Sequence, residues 1–326
     1  MSTFGTAFAD LMATAWYRDG AWTAPEFGPV EPLAIHPSAH VLHYASTCFD
    51  GLKAYRFPDG TLRIFRLEAH VARLRHSAER VCLPVPSAEM LSQVLMELVR
   101  ANEDAVPDYP GSLYLRPVIM GTDHDIGAAG HASHGACLFV LASPVGAYFQ
   151  GDHALKILLD DSHMRSTPDF GVAKSGGNYA AALHFIEEAR REHNCDQVLF
   201  CPGGDVQETG AANVLLLDDE RVVTRALDGA ILHGITRDSL LQLARSIGYQ
   251  VEERAITVEE LLDWCAKGEA ALSGTAAVLV PIGIFLYRDR EVPVASGPNV
   301  ARLRDALANI HSGASNDPFG WLTPVD

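Results

Sequence analysis

Gly171-Val-Ala-Lys-Ser-Gly-Gly-Asn-Tyr179 sets one lysine among small residues, immediately before a run with helical spacing, Asn178–His193. Small neighbours let a bulky group reach the Lys174 amine, and an accessible amine of that kind is what a Schiff-base cofactor requires. A plain loop lysine ahead of a helix would satisfy the same residues. The field of candidates is narrow. Lys+Arg number 25, but the only lysines are Lys53, Lys156, Lys174 and Lys267. Lys53 alternates along a predicted strand, which predicts solvent exposure. Lys156 begins the apolar run Ile157-Leu-Leu159, a strand-edge position. Lys267 falls in the last turn of a predicted helix, where a cation suits the C-terminal end of the dipole.

Outward from this segment, the pattern predicts a mixed α/β (α+β) chain of two domains, as 326 residues suggest at roughly 150 per domain. The Pro-Gly stretch Ser143–Gly151 is the predicted boundary. It gives a small N-terminal domain over 1–145, a linker over 146–153 and a larger C-terminal domain over 154–326. Predicted helices include Leu67–Cys82, one capped by Ser87, Thr236–Ile247, and one opened by the capping box Thr257-Val-Glu-Glu260. Thr61–Arg66, Ser112–Met120, Ala136–Ser143 and Asn213–Leu217 read as strands. Two charge-free runs, His134–Gly151 and Ala270–Tyr287, are broken by Pro and Gly and read as buried strands, not membrane spans.

A net charge of −16 argues against a nucleic-acid partner or an anionic membrane surface, both of which need clustered positive charge. The six cysteines form no CxxC and no zinc spacing, so no metal is expected. Scattered thiols and an N-terminus with no basic residue before Arg18 predict a cytoplasmic protein.

Other segments supply what a pyridine ring and a phosphate need. Glu208, between turn-forming stretches, is a candidate partner for a ring nitrogen or an exposed turn carboxylate. His233-Gly-Ile-Thr-Arg237 opens a helix, and Ser273-Gly-Thr-Ala-Ala277 is a small-residue turn; each offers backbone N–H groups to an anion. Neither has the Gly-Lys-Ser/Thr ending of a P-loop. The matching cation is one of Arg63, Arg66, Arg73, Arg75 and Arg80, among which spacing does not choose.

Lys174-Ser-Gly-Gly-Asn-Tyr179, Gln207-Glu-Thr-Gly-Ala-Ala-Asn213, Gly229-Ala-Ile-Leu-His-Gly-Ile-Thr-Arg237 and Ser273-Gly-Thr-Ala-Ala277 together resemble the signature segments of class IV, fold-type-IV aminotransferases. In the first half, His43-Tyr-Ala-Ser-Thr-Cys-Phe-Asp-Gly-Leu-Lys-Ala-Tyr55 and Ile64-Phe-Arg-Leu-Glu-Ala-His-Val-Ala-Arg-Leu74 resemble branched-chain amino-acid aminotransferases. So do Ser112-Leu-Tyr-Leu-Arg-Pro117 and Pro144-Val-Gly-Ala-Tyr-Phe149. The resemblance runs from about Phe4 to Leu322 with the segments in family order.

That resemblance implies reversible transamination of leucine, isoleucine and valine with 2-oxoglutarate by a ping-pong route, in a homodimer using pyridoxal 5′-phosphate. It implies that Lys174 forms the cofactor aldimine and shuttles the proton between Cα and C4′. Glu208 would hold the ring nitrogen protonated and Tyr179 would hydrogen-bond the ring hydroxyl. Arg73, the backbone N–H groups of Ile235 and Thr236, and Thr275 would meet the phosphate. The turn at Thr275-Ala276-Ala277 would face the substrate carboxylate, supported by Tyr114 and Arg116. Phe49, Tyr44 and Tyr148 would form an apolar side-chain pocket, with Ile126 and Ala128 arriving from a second subunit. Asp50 stands where a glutamate is usual, His233 where a proline is usual, and Ala277 and Val280 where the mammalian enzymes carry CxxC thiols. Same-fold alternatives act on D-amino acids, on another hydrophobic amino acid, or as an aminodeoxychorismate lyase. A cofactor-less dimeric binding protein is the alternative of a different class.

Overall fold

The computed structural model describes residues 4–146 and 154–325. Met1–Tyr148, Ala173–Gly177 and Asn309–Asp326 cluster as one unit, and Phe149–Val172 with Asn178–Ala308 as the other. The fold class is mixed α/β, as the sequence predicts.

The first unit contains β1 (Leu11–Arg18), β2 (Ala21–Trp22), β3 (Glu26–Pro29), α1 (His40–Tyr44), β4 (Thr47–Phe49), β5 (Leu52–Arg56) and β6 (Leu62–Phe65). Then come α2 (Leu67–Arg80), α3 (Ala88–Ala101), β7 (Ser112–Gly121) and β8 (Ala136–Val145). A final strand, β17 (Leu322–Pro324), pairs with β6, giving the sheet order β17-β6-β5-β7-β8-β1-β2, with β4 on β7 and β3 on β1. Every pairing is antiparallel. Val71, Leu74 and Ala78 of α2 and Leu91, Leu95 and Leu98 of α3 repeat at helical spacing and bury in one core with Leu113, Leu115, Ile119 and Val140 of the sheet. Ser87 caps α3 by accepting from Met90 N–H, as its position predicts, a contact worth about 1 kcal/mol.

The second unit is built on β9 (Leu155–Asp160), α4 (Gly176–His193), β10 (Gln197–Phe200), β11 (Asn213–Leu217), β12 (Arg221–Thr224), α5 (Ile235–Ser246) and β13 (Gln250–Glu253). It continues through α6 (Val258–Trp264), β14 (Glu269–Gly274), β15 (Val278–Tyr287), β16 (Arg290–Pro293) and α7 (Asn299–Ser312), whose residues from Asn309 onward cluster with the first unit. The sheet order is β10-β9-β15-β14-β11-β12-β13, with β16 on β15. β9–β10 and β12–β13 are parallel pairs. Parallel neighbours need a crossover, and α4 and α5 supply one each. Ala182, Ile186 and Ala189 of α4 bury against Val198 and Phe200 of β10.

Both charge-free runs are sheet elements where described: β8, and the hairpin of β14 and β15. No helix among the described residues is long and apolar enough to cross a membrane. The capping box at Thr257 is half made. Thr257 Oγ accepts from Glu260 N–H, but the Glu260 carboxylate is taken by a two-bond pairing with Arg254. A guanidinium fork is a stronger partner than one backbone N–H.

The expected exposure of Lys53 is overturned: it is 7% exposed. β5 lies between β6 and β7, and burial pulls the Lys53 amine down to about 8. Alternation fixed which face the lysine occupies, but not what covers that face.

Candidate active site

In the first unit, the Lys174 segment lies alongside β4. Phe49 N–H donates to the Lys174 carbonyl at 3.0 Å, Ser175 bridges Cys48, and Lys174 N–H donates to Ser77 Oγ on α2 at 3.0 Å. A Cβ at Gly176 would come 3.2 Å from Thr47 Cγ2, so close docking on β4 gives the small residues after the lysine a second purpose. Lys174 Nζ stands 4.9 Å from the centre of the Phe49 ring.

The same ring meets the Arg116 guanidinium at 4.8 Å. Phe49 pairs with Val118 and Lys53 with Tyr114, so Phe49, Lys53, Tyr114 and Arg116 share one face of the β4-β5-β7 sheet. Arg116 donates to Tyr114 Oη at 2.7 Å. Gly51 makes room for that hydroxyl, because a Cβ there would lie 1.9 Å from it. Amine, aromatic ring, guanidinium and phenol thus form one continuous wall.

Tyr44, closing α1, donates to the Ile126 carbonyl. Ile126 presents its side chain to solvent at 67% exposure, whereas Ala128 is buried. Tyr148 lies outside the described residues.

Arg73 projects from α2, and its partner is one that sequence reasoning assigned no role. Arg73 Nε and Nη2 donate to Asp50 Oδ2 and Oδ1, both at 2.8 Å. His70 Nδ1 lies 2.7 Å from Oδ1, and Gly51 N–H donates to that oxygen too. Burial alone would raise the Asp50 pKa, but Arg73 and His70 hold it far below the usual carboxylate range. Burial also lowers the pKa of His70, against the pull of Asp50, so it serves as a neutral donor through Nδ1.

In the second unit, Glu208 is 2% exposed, which excludes the reading of an exposed turn carboxylate. Its Oε1 accepts from Arg165 Nη1 at 2.5 Å and from Leu232 N–H at 2.9 Å, and its Oε2 accepts from Asn213 Nδ2 at 2.9 Å. The Arg165 guanidinium also lies 5.6 Å from the Tyr179 ring centre, which ties Tyr179 on α4 to the same cluster.

Asn213 is the hub of this unit's candidate residues. Its Nδ2 donates to the Leu232 carbonyl as well as to Glu208, and its backbone pairs with Ser273. A Cβ on Gly234, the N-cap of α5, would sit 2.0 Å from Asn213 Oδ1. Only glycine lets the helix start approach this closely, and α5 then begins at Ile235 and Thr236, both buried, with first-turn N–H groups unbonded within the helix. His233, just before it, is exposed. Thr275, Ala276 and Ala277 form the three-residue turn between β14 and β15. Val278, the residue after the turn, has φ +64°, strained for a β-branched side chain.

Arg165 carries no spacing signal that would have singled it out, and Asn213, which closes the Gln207–Asn213 segment, was given no role of its own. Arg165 sits in an irregular stretch, and only its 1% exposure, extreme for an arginine, marks it. Among the described residues no cluster of His, Cys, Asp and Glu suits a metal ion, and no disulfide forms.

Residues 47–284 match the family described as amino-transferase class IV. A probable branched-chain-amino-acid aminotransferase of Staphylococcus epidermidis is 38% identical across 99% of this chain and 93% of that protein. Branched-chain-amino-acid aminotransferase 2 of Bacillus subtilis is 36% identical across 99% of this chain and 92% of its own length. Among solved structures, the branched-chain amino acid aminotransferase of Thermobaculum terrenum in its PLP-bound holo form superposes with a TM-score of 0.79 at 26% identity, covering 98% of this chain and 100% of the other. The chain belongs to the class IV aminotransferases.

Proposed function

We propose that the protein transaminates leucine, isoleucine and valine reversibly with 2-oxoglutarate, yielding branched-chain 2-oxo acids and glutamate, as a cytoplasmic homodimer with pyridoxal 5′-phosphate as cofactor. The observation that carries this reading is the wall of the first unit, where an amine and a guanidinium flank one phenylalanine ring.

The residues present suit the groups of that cofactor. A buried carboxylate fixed by three hydrogen-bond donors suits a pyridinium N–H, and Glu208 is so held. A helix start joined to a glycine N-cap suits a phosphate, and Ile235 and Thr236 supply its N–H groups with Arg73 as cation and Thr275 as further donor. Tyr179 suits the ring hydroxyl. When bound, the cofactor supplies the carbonyl carbon that accepts the amino group and the ring that withdraws electrons from the substrate Cα.

The chain's own part is binding, orientation and proton transfer. Lys174 Nζ would hold the cofactor between turnovers and, once freed by the substrate amine, would carry the proton between the substrate Cα and the cofactor's C4′. Thr275, Ala276 and Ala277 receive the substrate carboxylate on the turn, with Tyr114 and Arg116 assisting. Phe49, Tyr44 and Tyr148 enclose the aliphatic side chain, and Ile126 and Ala128 of a second copy complete the pocket. Each methylene buried there is worth about 0.8 kcal/mol, so discrimination among the three substrates is modest.

A transamination panel of leucine, isoleucine, valine, phenylalanine and D-alanine with 2-oxoglutarate tests this reading. The three branched substrates are expected to react with kcat/KM values within about tenfold of one another, as a difference of at most one methylene, worth about 0.8 kcal/mol, allows. D-alanine is expected to be inert. Preference for D-alanine, or no transfer to 2-oxoglutarate from any of the five, would falsify the assignment.

A further inference from the structure

Asp50 is completely buried, and its carboxylate accepts from donors that α2 and its own turn provide. Arg73 engages it through two parallel N–H bonds, the pairing that fixes a planar guanidinium in direction as well as position. His70, one turn earlier on α2, closes on the same carboxylate oxygen from a site as deeply buried. The Asp50 backbone is anchored in turn, its N–H donating to the Pro117 carbonyl of β7 at 3.0 Å. One carboxylate therefore locks α2 to the β4–β5 turn, which directly follows Phe49 at the end of β4.

We propose that Asp50 is a positioning residue for phosphate recognition: it holds the Arg73 guanidinium in the one orientation from which it can grip the cofactor phosphate, with His70 bracing the carboxylate. This rests on the reading above, in which Arg73 meets that phosphate. An arginine on a helix surface samples many rotamers, and fixing one loses side-chain entropy at every binding event. Tying the fork to a buried anion settles that loss during folding, so the guanidinium is pre-organised before the ligand arrives. The opposite physical effect is also available. Removing the Asp50 charge would raise the positive potential around Arg73 and strengthen phosphate binding if charge, not orientation, were what matters.

The two effects separate in the affinity of the cofactor-stripped, full-length protein for pyridoxal 5′-phosphate divided by its affinity for pyridoxal, which lacks the phosphate. General loosening of the fold weakens both ligands and leaves the ratio unmoved. Asp50→Asn is expected to lower the ratio by at least about tenfold, the order of one lost charge-assisted hydrogen bond. Asp50→Glu, which keeps the carboxylate, is expected to hold it near the wild-type value. Should Asp50→Asn not fold, Arg73→Lys carries the test, because it keeps the charge and removes the fork; it too is expected to lose the preference. An unchanged or increased ratio in Asp50→Asn, or a ratio retained in Arg73→Lys, overturns the proposal. Absence of any phosphate preference in the wild type would instead sink the phosphate role of Arg73, and this proposal with it.

Discussion

Lys53 and Lys174 belong to the same unit. Lys53 lies opposite Tyr114 in the ladder, on the face of β5 away from the core residues Leu52 and Ala54, and burial brings its amine down to about 8. His311, stacked on Tyr55 and buried, is pushed down to about 3, first by burial and then by the nearby Lys53 charge. In the unfolded chain Lys53 keeps its proton up to its ordinary value of 10.5. Between about 8 and that value the unfolded state binds more protons, so folding stability rises with pH across the interval and is lowest below it. Lys53→Met is expected to flatten that rise and to add roughly 3 kcal/mol of stability at pH 7, read from urea unfolding across the alkaline range. An identical slope in wild type and variant would show that the buried amine is not its source. None of this was legible in the sequence, because the surroundings of Lys53 include residues as distant along the chain as His311. Arg165 escaped for the same reason: its importance lies in Glu208, a group distant along the chain. Glu208 and Lys174, set in recognisable runs of small and turn-forming residues, did not escape.

At the scale of elements, apolar spacing predicted α2, α3, α4 and α5 and the central strands with only terminal residues differing, since each helix buries apolar residues at helical spacing. What spacing does not convey is strain. The turn from Thr275 to Ala277 ends in Val278 with a left-handed backbone, which costs a β-branched residue about 1–2 kcal/mol. Strain kept at the turn proposed to receive the substrate carboxylate points to a geometry held for function. Val278→Gly is expected to stabilise the protein by about 1 kcal/mol in urea unfolding while raising KM for the amino acid, because the turn gains freedom it must lose on binding. A gain in stability with KM unchanged would detach that turn from substrate binding.

At the scale of the whole molecule, the division into units follows pairings that sequence order conceals. Ala173–Gly177 clusters with the first unit through contacts such as the Cys48–Ser175 bridge, and Leu322–Pro324 returns to pair with β6. Composition and order along the chain carry no information about such returns, whereas the α/β class and the site motifs are local and were readable. The scarcity of lysine is the one global property that bears directly on chemistry. Four amines compete: Lys53 has the depressed pKa expected of a nucleophile, and Lys174 has the place beside Phe49 and the family's motif. Borohydride reduction of the cofactor-loaded protein, followed by peptide mass mapping across all four lysines, decides between them. One cofactor per chain, fixed to Lys174, is expected, with no labelling in Lys174→Ala. Cofactor fixed to Lys53, or to no lysine at all, would contradict the assignment of Lys174.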